Sequence, residues 1–121
     1  MVDFSVQCSP PCAGQCVMHV AGEVDFEHAT DLGRAGRVAL GNDAAVRTLV
    51  VDLSKVTFMD STGVGALIDI HAAAMVAGVS LSIRDAPPVV TKILQITGLA
   101  PMFRVEDNGR RAQLFSRDDL G

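Results

Sequence analysis

The chain has 121 residues, about half of them apolar, and a formal charge of −4. That is room for one domain with one core, spanning residues 1–121, and no linker-like stretch divides it. The charge and the scattered basic residues argue against a dedicated nucleic-acid binder, since no basic stripe exists to displace counterions from phosphates.

Phe4-Ser5-Val6-Gln7 alternates like a short strand, and Ser9-Pro10-Pro11 with Ala13-Gly14 marks a turn. Cys16 to Gly22 follows as a second strand, making the opening a hairpin, and Glu23-Val24-Asp25 ends it in a carboxylate-bearing loop. His19 lies in that strand with no evident catalytic partner. Cys8, Cys12 and Cys16 are spaced four apart, which fits neither zinc ribbons nor common iron–sulfur runs, so they read as unpaired thiols and no metal site is expected.

His28 to Gly41 reads as the first helix, with Leu32, Ala35 and Ala39 on one side and Gly41-Asn42 as its stop. Its Gly33 and Gly36 each cost roughly 1 kcal/mol against alanine, so packing must hold it. Arg47 to Leu53 is the clearest strand, apolar on both faces as a central strand should be. Gly63 to Ala77 forms a second helix whose core stripe is Val64, Leu67, Ile68, His71, Ala72 and Met75.

Gly78 to Arg84 is the next strand. Asp85 is available to cap a third helix that carries Pro87-Pro88 in its first turn and stops at Gly98. Phe103-Arg104-Val105 is a last strand, and Arg110 to Asp119 a closing helix with Leu114 and Phe115 facing inward. The order ββαβαβαβα predicts an α/β fold with a mixed sheet and right-handed crossovers between parallel strands. Sites in such sheets form at the loops leaving the strands' carboxyl ends. Here those loops carry Asp25 and Asp60-Ser61-Thr62.

Catalysis by the second loop would need a partner carboxylate or a base for Ser61, and none of the three histidines is an evident one. No Gly-Lys-Ser/Thr phosphate loop or dinucleotide fingerprint occurs, so no cofactor is expected. Ser61 or Thr62 could simply cap the helix. The alternative is a phosphoacceptor: at a helix start, Ser61 can carry about −1.5 to −2 added charges beside Asp60 and near Asp25. The following helix supports it. Ala66, Ile70, Ala73 and Ala74 make a second apolar side, which reads as a docking face unless the chain itself covers it. No apolar run is long enough to cross a membrane, and no secretion signal opens the chain, which points to the cytoplasm.

Gly22-Glu23-Val24-Asp25, Val50-Val51-Asp52-Leu53, Phe58 to Gly65 and Ile96-Thr97-Gly98-Leu99 together resemble the STAS domain, most closely its stand-alone bacterial form, the anti-sigma factor antagonist. The resemblance runs from about Phe4 to Phe115. It implies four helices on one side of a mixed sheet, and a cycle of partner switching. An unmodified antagonist binds an anti-sigma factor of histidine-kinase-like ATPase fold and frees the sigma factor. That anti-sigma factor, a serine kinase, phosphorylates the antagonist and is released, and a PP2C-type phosphatase resets it. Carried over, Ser61 is the phosphoacceptor. Asp25, Asp60, Ser61, Thr62, Gly63, Val64, Ala66 and Ile70 form the partner surface of a monomer or weak dimer. A second possibility is a scaffold or ligand-sensing STAS module in a transport or stress-signalling complex.

Overall fold

The computed structural model describes residues 3–41, 45–99, 101 and 103–106. Five strands, β1 (Ser5–Cys8), β2 (Gln15–Val24), β3 (Thr48–Met59), β4 (Ser80–Arg84) and β5 (Arg104–Glu106), form one sheet in chain order. Only β1 and β2 pair antiparallel, and the other neighbours are parallel. Between them lie α1 (Phe26–Gly41), α2 (Ser61–Ala77) and α3 (Pro88–Ile96). Three helices are thus seen among the described residues, and the expected closing helix from Arg110 to Asp119 lies outside them.

Strict alternation builds β2: Cys16, Met18, Val20 and Val24 are buried, while Gln15, His19 and Glu23 are exposed. Register carries that buried face across the sheet, through Leu49 and Val51 on β3 to Ile83 on β4. Leu32 and Ala39 of α1, Val64, Leu67 and Ile70 of α2, and Val90 and Leu94 of α3 join the same cluster. All three helices therefore pack on one side of the sheet. The other side carries Gln7, His19 and Asp52 in one cross-strand row.

Several boundaries move outward from the sequence expectation. β3 continues past Leu53 to Met59, because Val56 and Met59 return to the core after the exposed Ser54-Lys55 pair. β2 gains Glu23 and Val24 for the same reason, through register shifts near Ala21 and Glu23. The two strands stay paired to Val24↔Met59, whereas β4 pairs with β3 only over Thr48 to Asp52. A two-stranded ribbon thus projects beyond the rest of the sheet and holds the Asp25 and Asp60 loops at its end. Helix α1 begins at Phe26, with Asp25 Oδ1 accepting from the backbone N–H of Glu27 and His28 at 3.1 and 3.2 Å.

Helix α2 closes on Gly78, whose φ of 73° lets its N–H and that of Val79 return to the Ala74 and Met75 carbonyls. Asp85 does not cap α3. The N-cap is Pro87, without a side-chain bond, and Pro88 takes the first helical position. The hairpin turn at Ala13-Gly14 puts both residues at positive φ, and Cys12 and Gln15 bond across it. Cys8 and Cys12 are exposed and Cys16 is buried. Burial pushes the Cys8 and Cys16 thiols up from their ordinary value. Cys16 lies near the opposite end of the ten-residue β2 from Asp25, about 30 Å away at strand rise, and Cys8, paired with Met18, about 23 Å away.

The expected docking face of α2 is instead core. Ala66, Ile70 and Ala74 are buried, with Ile70 at 0% exposure. A Cβ on Gly36 of α1 would stand 2.5 Å from Ile70 Cγ1 and 2.6 Å from its Cδ1, so the two helices cross there in close contact. Gly36 is what lets α1 cover α2. At the other edge of the expected core stripe, Ala72 and Met75 are exposed, Met75 at 69%.

Gly36→Ala is expected to destabilise the fold by about 1 kcal/mol. Overpacking costs about 1–3 kcal/mol, and the gain in helix propensity returns about 1. Ile70→Val costs about 0.5–1.5 kcal/mol in the parent chain. In Gly36→Ala it should cost less or become favourable, a coupling that denaturant titration of the four chains measures. Additive effects would show that the crossing is not where the strain lies.

Candidate functional site

Asp25 and Asp60 are each the first residue after a paired strand end, Val24 and Met59. The two carboxylates therefore leave the ribbon side by side, and Asp60 N–H reaches back to the Val24 carbonyl at 3.4 Å. Gly63 makes this closeness possible. A Cβ there would meet the Val24 carbonyl oxygen at 2.7 Å and Met59 Cγ at 2.8 Å, so only glycine lets the first turn of α2 lie against the end of β2.

The helix is capped by Asp60, not by Ser61 or Thr62. Asp60 holds an extended backbone with φ −109° and ψ −171°. Its Oδ1 accepts from Thr62 N–H at 2.9 Å, Gly63 N–H at 3.2 Å and the Thr62 hydroxyl. Its carbonyl takes the Val64 N–H at 3.1 Å. The Thr62 hydroxyl, against a lesser upward push from burial and with the backbone N–H bonds adding to it, holds the Asp60 carboxyl below its ordinary value of 3.8. Ser61 is left as the exposed first residue of the helix, and its hydroxyl has no hydrogen-bond partner among the described residues.

A cap with a depressed pKa stabilises the fold above the unfolded value and loses that contribution as pH falls through the folded one. Asp60→Ala should cost about 1 kcal/mol at neutral pH. The gap between the parent and Asp60→Ala should stay constant down to about pH 4 and close below it. A gap that widens on acidification would reverse the assigned sign.

His28 stacks on Phe4 with ring centroids 4.5 Å apart, and its Nδ1 lies 2.9 Å from Asp25 Oδ1 without hydrogen-bond alignment. The segment before β1 thereby braces the Asp25 loop. Between α1 and α2 a cleft of about 340 Å³ opens beside the capping loop, lined by Phe26, Ala29, Thr30, Thr62, Gly65 and Asp69, with Ala66 at its floor. Phe26 is 78% exposed at its rim.

Of the eight partner-surface residues expected from the sequence, the structure gathers Asp25, Asp60, Ser61 and Thr62 at the accessible end of the ribbon. Gly63, Val64, Ala66 and Ile70 are buried by the chain's own packing and do not form an open face. Phe26 was missed. Its signal was an apolar aromatic between two acidic residues, directly after a carboxylate loop.

A family model described as "Mlab, STAS domain" matches residues 12–104, most of the chain and the whole of this site. The chain belongs to the STAS domain family. An anti-sigma F factor antagonist of Paenibacillus polymyxa is 25% identical to this STAS domain over 95 residues, covering 78% of this chain and 80% of that one. The fold of this STAS domain is similar to that of the anti-sigma factor antagonist SpoIIAA in its unphosphorylated form, with a TM-score of 0.72 at 23% identity, over 88% of this chain and 90% of that one. The phosphorylated form of SpoIIAA from Bacillus gives a TM-score of 0.67 at 22% identity over 88% and 93%. This STAS domain is also similar to a sulfate transporter family protein of Wolinella succinogenes, at a TM-score of 0.68 and 18% identity over 81% and 80%. Among the described residues, no helix is long and apolar enough to cross a membrane.

Proposed function

We propose that this STAS domain is a phosphorylation-switched anti-sigma factor antagonist, a binding module and not an enzyme. Unmodified, it binds an anti-sigma factor of histidine-kinase-like ATPase fold and so frees a sigma factor. The same partner, acting as a serine kinase, transfers phosphate to Ser61 and is released, and a PP2C-type phosphatase restores the free serine. The observation that carries this reading is the exposed, unbonded Ser61 hydroxyl on the residue after a rigid Asp60 cap. A kinase can reach that oxygen without unfolding anything. The relative from Paenibacillus polymyxa, named an antagonist of the same kind, adds support.

The docking surface in this proposal consists of Asp25, Asp60, Ser61 and Thr62, extended by Phe26 and the adjoining cleft. An exposed aromatic beside a pocket is the type of residue that anchors an interface, and the flanking carboxylates favour a partner patch of basic character.

Incubation with the cognate kinase and ATP, followed by phosphopeptide mapping, tests the assignment. Phosphate is expected on Ser61 alone, and Thr62→Ala should still accept it, since the Thr62 hydroxyl is committed to Asp60. Label on Thr62 with none on Ser61 would refute the acceptor.

A further inference from the structure

On the face of the sheet opposite the helices, Gln7, His19 and Asp52 stand in register across β1, β2 and β3. His19 Nδ1 lies 2.9 Å from Asp52 Oδ2, and Asp52 Oδ1 accepts the Ser54 N–H at 2.9 Å. Burial alone would raise the Asp52 carboxyl. The bonds from Ser54 and then His19 outweigh it and leave that carboxyl below its ordinary value. An ionised Asp52 can only accept, so it holds the tautomer in which Nδ1–H donates to it, and Nε2 is turned away from the carboxylate. The histidine is half exposed, at 51% of its side chain.

The pair borders a depression of about 430 Å³ that also has Ser5, Gln7, Ser54 and Lys55 in its wall. It therefore brings together one fixed cation, one imidazole that becomes a cation on protonation, two hydroxyls and an amide. The one carboxylate is already occupied by two donors. Such a set suits an oxyanion: Lys55 supplies charge, His19 donates from Nε2 once protonated, and Asp52 stabilises the imidazolium from behind. The volume exceeds that of a phosphate group alone, leaving space for a small polar substituent. None of these residues belongs to the Asp60 loop, and the partner-switching cycle uses none of them.

We propose that this depression is a second ligand site, which binds a small phosphate monoester through His19 and Lys55.

The test is an NMR titration of the full chain, following the imidazole Cε1–H signals of His19, His28 and His71 with glycerol 2-phosphate and, in parallel, inorganic phosphate. Saturable shifts of His19 are expected with both probes, with the ester tighter because it fills more of the depression. His28, beside Asp25 at the other site, serves as the internal control. Lys55→Met, followed at His19, and His19→Gln, followed through the backbone amide signals of Ser54 and Lys55, are both at exposed positions and should weaken the ester about tenfold each while leaving the remaining spectrum in place. A linear drift of His19 without saturation overturns the proposal. So does an equal response of His28, or unchanged affinity in Lys55→Met. Failure here leaves the Ser61 switch untouched, since the two sites share no residue.

Discussion

Ser61→Asp is expected to bind the anti-sigma partner about 30- to 150-fold more weakly than the parent chain, whereas Ser61→Ala binds it normally and accepts no phosphate. The estimate corresponds to about 2–3 kcal/mol for a new charge placed at a docking surface that already holds Asp60 and Asp25. Aspartate carries about one charge against the −1.5 to −2 of a phosphate, so the mimic understates the natural effect. Both variants should fold like the parent, because Ser61 is exposed and its hydroxyl has no hydrogen-bond partner among the described residues. Calorimetric or surface-based binding measurements with the purified partner decide the matter. Equal affinity of Ser61→Asp and the parent would remove the electrostatic basis of the switch.

Gly63→Ala should damage the fold and the docking surface together. The added carbon would meet the Val24 carbonyl oxygen and two side chains within 3 Å, and a backbone oxygen paired in a sheet cannot swing aside as a side chain end could. The first turn of α2 must lift from the ribbon instead. After allowing about 1 kcal/mol for better helix propensity, a net loss of about 2 kcal/mol is expected. In a domain of this size that lowers Tm by about 8 °C. Partner binding should fall as well, even at temperatures where the variant is folded, since Ser61 and Thr62 move with that turn. Gly65→Ala is the control for stability, because a Cβ at Gly65 meets nothing within 4 Å. If both substitutions behave alike, the tight contact is not what Gly63 is for.

Much of this architecture could be read from the chain before its structure. Alternation marked β2, the doubly apolar Leu49-Val50-Val51 run marked a central strand, and Asp60-Ser61-Thr62-Gly63 marked the loop together with its family. What stayed hidden was non-local. A helix as uniformly apolar as α2 does not indicate what covers it, and the cover is α1, admitted by a glycine whose local effect is only to weaken its own helix. The end of β3 was obscured by Ser54 and Lys55, which interrupt the apolar pattern before Val56 and Met59 restore it. Two polar side chains close together cannot mark a strand end when one face of the sheet is open. The partner of His19 lies 33 positions away and is evident only once β2 and β3 are in register. The cap, which the sequence left open at Ser61 or Thr62, falls one or two residues earlier on Asp60, since Asp, Ser and Thr are all good N-caps and composition does not choose among neighbours.

The way Asp60 closes α2 limits what a modified Ser61 can do. Thr62, Gly63 and Val64 have already committed their N–H groups to Asp60, two to its carboxylate and one to its carbonyl. A phosphoryl group on the preceding residue finds those donors taken, and can claim them only by evicting the cap. The economical outcome is that it stays outside the helix, in water, on an otherwise unaltered scaffold. The free protein would then store no conformational memory of its modification. Its message would exist only as surface charge, felt when another molecule approaches, and erased completely when the phosphate is hydrolysed.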